Sequence, residues 1–188
     1  VHAVNRATIE FNDVVVLAGA GPLGLGMIQA TRLKNPKLFI VLDTVPARLE
    51  LARKLGADLV INPLEEDAIS KVKQLTDGYG CDVYIEATGN PAGVKQGLQM
   101  IRKLGRYVEF SVFGEETTVD WSIIGDRKEL EVRGSHLGPH CYETVINFFS
   151  RKLFTAEGVV THTLPLDQWE QGFAMAASGE SIKVLLVP

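Results

Sequence analysis

The glycine-rich turn at residues 19–24 constrains the fold of this chain more than any other feature. It directly follows residues 14–18, a run that is apolar on both faces, as is typical of a strand covered by helices on both sides. A helical stretch begins at Pro22, where the first turn of a helix has no use for the missing N–H. An acid, Asp43, closes the next apolar run, nineteen residues after the last glycine of the turn. This order predicts a strand–turn–helix–strand unit that binds a dinucleotide.

The turn has the spacing Gly-x-Gly-x-x-Gly, and each glycine has a separate physical task. Gly19 permits the tight turn after the strand, and Gly21 lets the backbone approach a pyrophosphate. Gly24 lets the helix pack closely against the strand. The helix that opens with Pro22 and Leu23 presents the partial positive charge of its N-terminus, so we expect it to bind the phosphates.

Asp43 indicates which dinucleotide the unit binds. Its carboxylate is expected to accept hydrogen bonds from the adenosine ribose hydroxyls and to repel a 2′-phosphate, so NAD is favoured over NADP. Two other interpretations of the same residues stay open. The turn and the aspartate can be purely structural, and S-adenosylmethionine-dependent methyltransferases also place a glycine turn after the first strand and an acid after the second. The complete three-glycine spacing favours a dinucleotide.

Short apolar runs alternate with longer amphipathic stretches along most of the chain. We predict strands at residues 14–18, 38–42, 58–61, 82–86, 106–110 and 129–133. We predict helices at residues 22–34, 45–55, 64–76 and 92–104. The order is strand–helix–strand–helix–strand, followed by a second similar half. It predicts an α/β fold, a Rossmann-type doubly wound parallel sheet with helices on both faces.

The tail has a different pattern. It is predicted to continue as helix, strand, helix and strand at residues 141–152, 159–163, 166–177 and 183–187. The sequence leaves open whether these elements extend the sheet or form a second lobe.

The composition argues against several other classes of function. Nineteen lysines and arginines against 23 aspartates and glutamates give a net charge of −4. With no basic run, neither nucleic acid nor an anionic membrane is expected as the main partner, and no apolar stretch is long enough to span a membrane. The two cysteines, Cys81 and Cys141, are too few for a disulfide framework, so we expect a reducing compartment, the cytoplasm.

Several motifs resemble the zinc-dependent medium-chain alcohol and polyol dehydrogenases, and the resemblance extends over essentially the whole chain. They are VVVLAGAGPLG at residues 14–24, Asp43 with RLELA at 48–52, LGAD at 55–58, DVYIEATG at 82–89 and LGR at 104–106. The motifs VTHTLPL at residues 160–166 and SGESIK at 178–183 look like the C-terminal end of that family. SHLGPHCY at 135–142 and VDW at 119–121 look most like its sorbitol dehydrogenase branch, erythritol and threitol dehydrogenases in particular.

The resemblance implies three parts of the chain. Residues 1–12 would be a linking helix from an N-terminal catalytic domain, residues 13–140 the NAD-binding Rossmann domain, and residues 141–188 a segment that returns to the catalytic domain. Members of the family bind a catalytic zinc through Cys, His and Glu ligands in that N-terminal domain, whose motifs this sequence lacks. We therefore expect no catalytic residue and no metal ligand in this chain, which would be a fragment of a longer enzyme.

The resemblance also implies an activity and partners. It implies an oxidoreductase that transfers hydride from a secondary alcohol or polyol to NAD, with zinc in the other domain, assembled as a homodimer or homotetramer. The alternative is a stand-alone NAD-binding sensor or scaffold module without catalysis.

Further cofactor-binding residues follow from the same resemblance. Arg48 is implied to lie beside the adenine ribose. Backbone after the fourth, fifth and sixth strands is implied to meet the nicotinamide half, at Thr88, Gly89, Ser111, Val112, Phe113 and Ser135. Their location agrees with the rule that ligands of doubly wound sheets lie at the carboxyl ends of strands. The alternative is that these segments are ordinary strand-end loops.

The run at residues 136–141 contains residue types that bind metals. His136 and His140 are four residues apart, and Cys141 follows. Gly138 and Pro139 stand between the histidines, so the two rings are not expected to share a helical face. No carboxylate or second cysteine completes a ligand set, and we expect no metal there.

Overall fold

The predicted alternation of strands and helices is present in the computed structural model, which describes residues 1–188. The strands are β1 Val14–Ala18, β2 Leu38–Leu42, β3 Leu59–Ile61, β4 Cys81–Glu86, β5 Ile101–Glu109, β6 Glu131–Gly134, β7 His162–Pro165 and β8 Val184–Val187. The α-helices are α1 His2–Arg6, α2 Pro22–Leu33, α3 Pro46–Lys54, α4 Ala68–Leu75, α5 Pro91–Met100, α6 Tyr142–Ser150 and α7 Trp169–Ser178. Short 3-10 helices cover Trp121–Ile123 and Leu166–Gln168. The chain divides into two compact units, Val1–Glu143 and Thr144–Pro188.

The first unit contains a six-stranded sheet in the order β3-β2-β1-β4-β5-β6, and every neighbouring pair is parallel. This confirms the predicted doubly wound α/β fold. All five residues of β1 are buried, as expected for a central strand covered on both faces. The order reverses between β1 and β4, so the topology places a ligand crevice at the carboxyl ends of these two strands.

Two aspartate side chains link neighbouring strands at their amino-terminal ends, on the side of the sheet away from the crevice. The Asp82 carboxylate accepts a hydrogen bond from the Val14 N–H at 2.7 Å, and the Asp58 carboxylate accepts one from the Phe39 N–H at 2.9 Å. Each bond joins one strand to its neighbour at the point where the backbone ladder begins. The register of the sheet is therefore fixed from the end that lies away from the crevice.

A buried ion pair also lies toward the amino-terminal ends of the strands. Arg106 of β5 donates two hydrogen bonds to the Asp13 carboxylate, at 2.7 and 2.8 Å, and both residues are more than nine-tenths buried. Arg106 also donates to the Thr8 carbonyl. The pair connects the segment after α1 to β5, and a charge left alone there would be strongly unfavourable.

Helix α5 is shorter, and β5 longer, than the sequence pattern predicts. The prediction of a helix to residue 104 is wrong, because α5 ends at Met100 and β5 begins at Ile101. The Lys128 ammonium donates to three carbonyls at this point, those of Leu98, Gln99 and Ile101. The last carbonyls of a helix have no intrahelical partner, so a cation stabilises the end there.

Helix α4 begins at Ala68, four residues later than predicted. The Asp67 carboxylate caps it by accepting hydrogen bonds from the N–H groups of Ile69 and Ser70, both at 3.1 Å. Leu64, which the pattern assigns to the apolar stripe of this helix, lies in the turn before it and is 78% exposed. That turn places Leu64 near the carboxyl end of β3.

The tail forms a small sheet of its own. Strands β7 and β8 pair in parallel as a separate two-stranded sheet, with α7 between them in the chain. β7 begins at His162, three residues later than predicted. The ring of Phe154 packs against Phe148 and Phe149 and is buried. Of the two arrangements that the sequence left open for the tail, the structure shows a separate unit and not an extension of the large sheet.

No helix in the structure combines the length and apolarity needed to cross a membrane. Both cysteines are free thiols. Cys81 is fully buried at the start of β4, and burial raises the pKa of its thiol above the ordinary value, so it is held neutral.

Candidate cofactor-binding site

A cleft of about 410 Å³ opens at the carboxyl ends of the parallel strands, where the strand order reverses. It is lined by Ala18, Gly19, Gly21, Leu42, Asp43, Thr44, Arg48, Pro63, Leu64, Ala87, Thr88, Asn90, Ala92, Gly93 and Gln96. The predicted cofactor residues among them are Gly19, Gly21, Asp43, Arg48 and Thr88. The structure therefore brings the glycine turn, the acid after β2 and the end of β4 around one cavity.

Two glycines of the turn are required by the protein itself. Gly19 has a φ of +103°, and a Cβ there would lie 2.6 Å from the Ala87 carbonyl oxygen. A Cβ on Gly24 would lie 2.0 Å from the Gly19 carbonyl oxygen. No side chain fits at either position, because the obstructing atoms belong to backbone that cannot move away.

Gly21 is different, because nothing in the chain requires a glycine there. Its φ of −68° and ψ of −175° suit any residue, and a Cβ would meet no atom within 4 Å. Gly21 lines the cleft, and the chain places no atom in the space beside its Cα where a Cβ would stand. The absence of a side chain therefore serves whatever occupies the cleft.

The N-terminus of α2 is open toward a ligand. Gly21 is the N-cap, Pro22 is the first helical residue, and no side chain caps the helix. Leu23 follows and is 65% exposed. Unpaired N–H groups and the positive end of the helix dipole favour an anion at such a terminus. The glycine cradle and the uncapped helix fit the pyrophosphate of a dinucleotide.

Asp43 has a structural role that the sequence did not reveal. One carboxylate oxygen accepts a hydrogen bond from the Ala20 N–H at 2.7 Å, and the other accepts one from the Val45 N–H at 2.8 Å. The side chain thus ties the glycine turn to the loop after β2. Each carboxylate oxygen can accept a further hydrogen bond, so the geometry still suits a ribose hydroxyl.

Glu86, which the sequence reasoning missed, organises the loop after β4. Its side chain is fully buried and accepts hydrogen bonds from the N–H groups of Thr88 at 2.9 Å and Gly89 at 3.2 Å, and from the Thr88 hydroxyl. A Cβ on Gly93 of α5 would lie 2.8 Å from one of its carboxylate oxygens. The sequence did contain a sign of this role, because Glu86 is an acid at the end of an otherwise apolar strand.

The loops after β4 and β5 lie against each other. Gly89 has a φ of +69°, and a Cβ there would come within 2.7 Å of the Val112 carbonyl oxygen. The Ser111 N–H donates to the Glu109 carboxylate at 2.8 Å, and the Val112 side chain is 93% exposed. Gly89, Ser111 and Val112 therefore form one strand-end surface beside the cleft, although none of them lines it.

Phe113 and Ser135 lie elsewhere. Phe113 lines a separate pocket beside α5. The Ser135 N–H donates to the Glu109 carbonyl at 2.8 Å, while its buried hydroxyl has no hydrogen-bond partner. The structure places neither residue in the cleft, and their predicted contact with the cofactor stays a prediction.

The lining residues beyond the predicted set come from loops and from α5. Thr44, Pro63 and Leu64 face the cleft from the β2 and β3 side. Asn90 and Gln96 face it from the β4 side, where the Asn90 side chain also caps α5 by accepting from the Ala92 N–H at 2.9 Å. The Asn-Pro pair at the start of α5 was a sequence signal for the cap but not for the cleft.

The residues of this chain do not fit a zinc ion. The structure contains no group of three or more His, Cys, Asp or Glu side chains placed to hold a metal. In the run at residues 136–141, the Cys141 thiol donates to the Pro139 carbonyl at 3.4 Å.

The doubly wound sheet, the crevice at its switch point and the open glycine cradle define a dinucleotide-binding Rossmann domain. A family model described as zinc-binding dehydrogenase matches residues 22–151. The chain belongs to this family and corresponds to its NAD-binding half.

Among curated proteins, the chain is 53% identical over 188 residues to erythritol/L-threitol dehydrogenase of Mycolicibacterium smegmatis, covering all of this chain and 52% of the relative. It is 34% identical over 190 residues to sorbitol dehydrogenase of Halalkalibacterium halodurans, covering all of this chain and 55% of that protein. The chain thus spans about half the length of the curated relatives it matches.

Solved structures give the same result for the fold. The chain superposes on 2R,3R-butanediol dehydrogenase from Bacillus subtilis with a TM-score of 0.90 and 26% identity, covering all of this chain and 54% of that one. It superposes on the short chain alcohol dehydrogenase rspB of Escherichia coli CFT073, solved with the cofactor NADH, with a TM-score of 0.88 and 27% identity. That alignment covers all of this chain and 56% of the other.

Proposed function

We propose that the cleft binds NAD, with the pyrophosphate on the glycine turn and the adenosine ribose at Asp43. The observation that carries the proposal is Gly21, whose missing side chain leaves open space in the cleft directly before the uncapped α2. Backbone N–H groups and the helix dipole would hold the pyrophosphate there. Nothing observed favours a methyltransferase or a purely structural glycine turn.

The residues after β2 and β4 would position the two ends of the cofactor. Asp43 accepts hydrogen bonds from the adenosine ribose hydroxyls, and Arg48 lies on the same side of the cleft. Thr88 lies on the other side, on a loop that the buried Glu86 holds in place. The nicotinamide half would extend over Gly89, Ser111 and Val112, with Phe113 and Ser135 beyond them.

Asp43 is expected to make the chain selective for NAD over NADP. A carboxylate beside the ribose repels a 2′-phosphate, so the unmodified chain should bind NAD at least tenfold tighter, or about 1.4 kcal/mol. Asp43→Asn removes the charge but retains one acceptor oxygen, and it should narrow the ratio of the two dissociation constants, as measured by calorimetry.

The matched control is Glu50→Gln, which removes an exposed acid of α3 that does not line the cleft. It should leave the NAD-to-NADP ratio unchanged. NADP bound as tightly as NAD by the unmodified chain would contradict the assignment of Asp43.

For the whole protein we propose the oxidation of a polyol or other secondary alcohol. NAD supplies the hydride acceptor when bound. This chain's part is to bind and orient it, by holding the pyrophosphate on α2 and the ribose on Asp43. The proposed substrate class rests on the similarity to polyol dehydrogenases, and zinc is assigned to the part of those relatives that this chain does not cover. No observation favours the stand-alone sensor or scaffold.

The chain by itself is expected to bind NAD without oxidising alcohols. It offers no ligand set for a Lewis acid that would help an alcohol lose its proton. Incubation with NAD, zinc and erythritol, threitol or sorbitol should yield no NADH by absorbance, and elemental analysis should find less than one tightly held zinc per chain. NADH formation or stoichiometric zinc would contradict the proposal that this chain binds NAD while the catalytic zinc lies outside it.

We further propose that residues 141–188 return to a catalytic domain and that the protein forms a homodimer or homotetramer. In the second unit, Ile146 and Phe173 are about two-thirds exposed and Leu166 more than half. In the first unit, β6 is an edge strand whose Val132 is 46% exposed. An unpaired strand edge and exposed large apolar side chains are compatible with contact with further protein.

A further inference from the structure

The carboxyl ends of β4 and β5 each carry an acid that has no cationic partner. Glu86 and Glu109 are paired in the register of the two strands, so their side chains extend from neighbouring positions on the same face of the sheet. Glu86 is fully buried and Glu109 is partly buried. No lysine, arginine or histidine forms an ion pair with either acid. Buried negative charge without a partner is unfavourable, so a positive charge brought near it is attracted.

Neutral donors hold both carboxylates in place. Glu86 accepts hydrogen bonds from the N–H and the hydroxyl of Thr88. Glu109 accepts one from the Ser111 N–H at 2.8 Å, and the buried Tyr107 hydroxyl interacts with the same carboxylate. Each acid is therefore bonded to the loop that follows its own strand. These bonds fix the position of the two carboxylates without neutralising their charge.

The same two loops form the surface over which the nicotinamide half of the cofactor is proposed to extend. Arg48 is the cationic side chain that lines the cleft, and it lies on the β2 side together with Asp43. The side of the cleft formed by the loop after β4 and by α5 contributes no lysine, arginine or histidine. The nicotinamide end of the cleft therefore lies beside negative charge that no protein cation offsets.

The nicotinamide ring carries a positive charge in NAD⁺ and none in NADH, whereas the rest of the two molecules is the same. We propose that Glu109, together with Glu86, shifts the preference of the cleft toward the oxidised cofactor. This inference rests on the proposed binding of NAD. The carboxylates attract the oxidised ring at a distance through the protein interior and need not touch it. Once the ring has accepted hydride and become neutral, the attraction is lost and the reduced cofactor leaves more readily.

The test measures three ligands on the 188-residue chain by calorimetry. NAD⁺ and NADH differ in the charge of the ring, and ADP-ribose lacks the nicotinamide. Glu109→Gln keeps an oxygen that can accept from the Ser111 N–H but removes the charge. It should lower the ratio of NAD⁺ affinity to NADH affinity about fivefold and leave the affinity for ADP-ribose unchanged.

The matched control is Glu116→Gln, which removes an exposed acid of the loop after β5 that does not line the cleft. It changes the net charge of the chain by the same amount as Glu109→Gln. Water and salt screen an exposed charge, so the ratio of the two affinities should change little. Circular dichroism of both variants verifies that they are folded.

The pH dependence gives a second readout, which a purely structural role of Glu109 would not produce. Burial, the largest cause, and the charge of Glu86 raise the pKa of the Glu109 carboxyl to about 7. Only the ionised carboxylate attracts the oxidised ring, so NAD⁺ affinity should rise between about pH 6 and about pH 8. The affinities for NADH and ADP-ribose should not show this rise, and Glu109→Gln should abolish it.

The groups around Glu109 are not expected to cause the same rise. Tyr84 and Tyr107 face it, but burial raises the pKa of both hydroxyls further above the ordinary value, so they stay neutral in this range. Glu86 and Glu115 are the other acids beside it, and both remain in Glu109→Gln. A rise that persists in this variant would therefore overturn the role of Glu109. The side chains that surround it from α5 and β6 are apolar: Val94, Leu98 and Val132.

ADP-ribose separates a failure of this inference from a failure of the proposed function. If ADP-ribose binds and the NAD⁺-to-NADH ratio is the same in the unmodified chain and in Glu109→Gln, the inference is wrong while the cofactor site stands. If neither NAD⁺ nor ADP-ribose binds, both are wrong. An equal fall of the ratio in Glu109→Gln and Glu116→Gln would also overturn the inference, because the effect would then come from net charge.

Discussion

Gly21→Val is expected to abolish most NAD binding while leaving the chain folded. The new side chain fits the protein, since a Cβ at this position meets no atom within 4 Å and the backbone is extended. It occupies instead the part of the cleft where the pyrophosphate would meet the α2 N-terminus. The affinity measured by calorimetry should fall well beyond tenfold, or about 1.4 kcal/mol, with the thermal midpoint nearly unchanged.

Two other glycines of α2 serve as controls. Gly26→Ala also adds a Cβ into open space but does not line the cleft, so NAD affinity should be unchanged. Gly24→Ala places a Cβ 2.0 Å from the Gly19 carbonyl oxygen and should cost about 3 kcal/mol of unfolding free energy. Unchanged NAD affinity in a folded Gly21→Val chain would show that the cofactor does not lie on this turn.

Arg106→Ala is expected to lower the free energy of unfolding by about 3–5 kcal/mol. Arg106 and Asp13 are 8% and 6% exposed, and the substitution leaves the Asp13 carboxylate without its two charged hydrogen bonds. It also removes the donor to the Thr8 carbonyl. A large part of the effect comes from the uncompensated buried charge, and urea unfolding of the purified variant measures it.

Arg53→Ala is the matched control for this prediction. Arg53 pairs with Glu50 on the surface of α3 at 3.4 Å, with more than half of each side chain exposed. An exposed pair of this kind contributes less than about 1 kcal/mol, so the stability should change little. A similar small loss in Arg106→Ala would mean that water or a rearranged Asp13 satisfies the site.

Several features were predictable because they depend on local sequence. The apolar run of β1, the glycines that follow it and the acid at the end of β2 specify a strand, a turn and a helix N-terminus within thirty residues of chain. Their spacing alone predicts the parallel order and the crevice, since a βαβ connection is right-handed and brings strand ends to one edge. The observed strand order confirms this.

Other features depended on partners that lie far apart in the sequence. The early end of α5 is fixed by Lys128, more than twenty residues downstream, through bonds to the carbonyls of Leu98 and Ile101. The helical propensity of residues 101–104 is outweighed because Ile101 pairs with Cys81 in the sheet. The bond of Asp43 to Ala20 also joins two loops that the sequence shows only as separate segments.

The sequence by itself determined the fold class and the glycine turn, because periodicity, turn chemistry and helix-start signals act over a few residues. Only the tertiary structure decided that Gly21 faces open space whereas Gly19 and Gly24 face backbone. It also decided that the tail has its own two-stranded sheet and that the buried Glu86 holds the loop after β4. The reason is physical: free space, burial and unpaired charge are properties of what surrounds a side chain, and those surroundings come from residues distant along the chain.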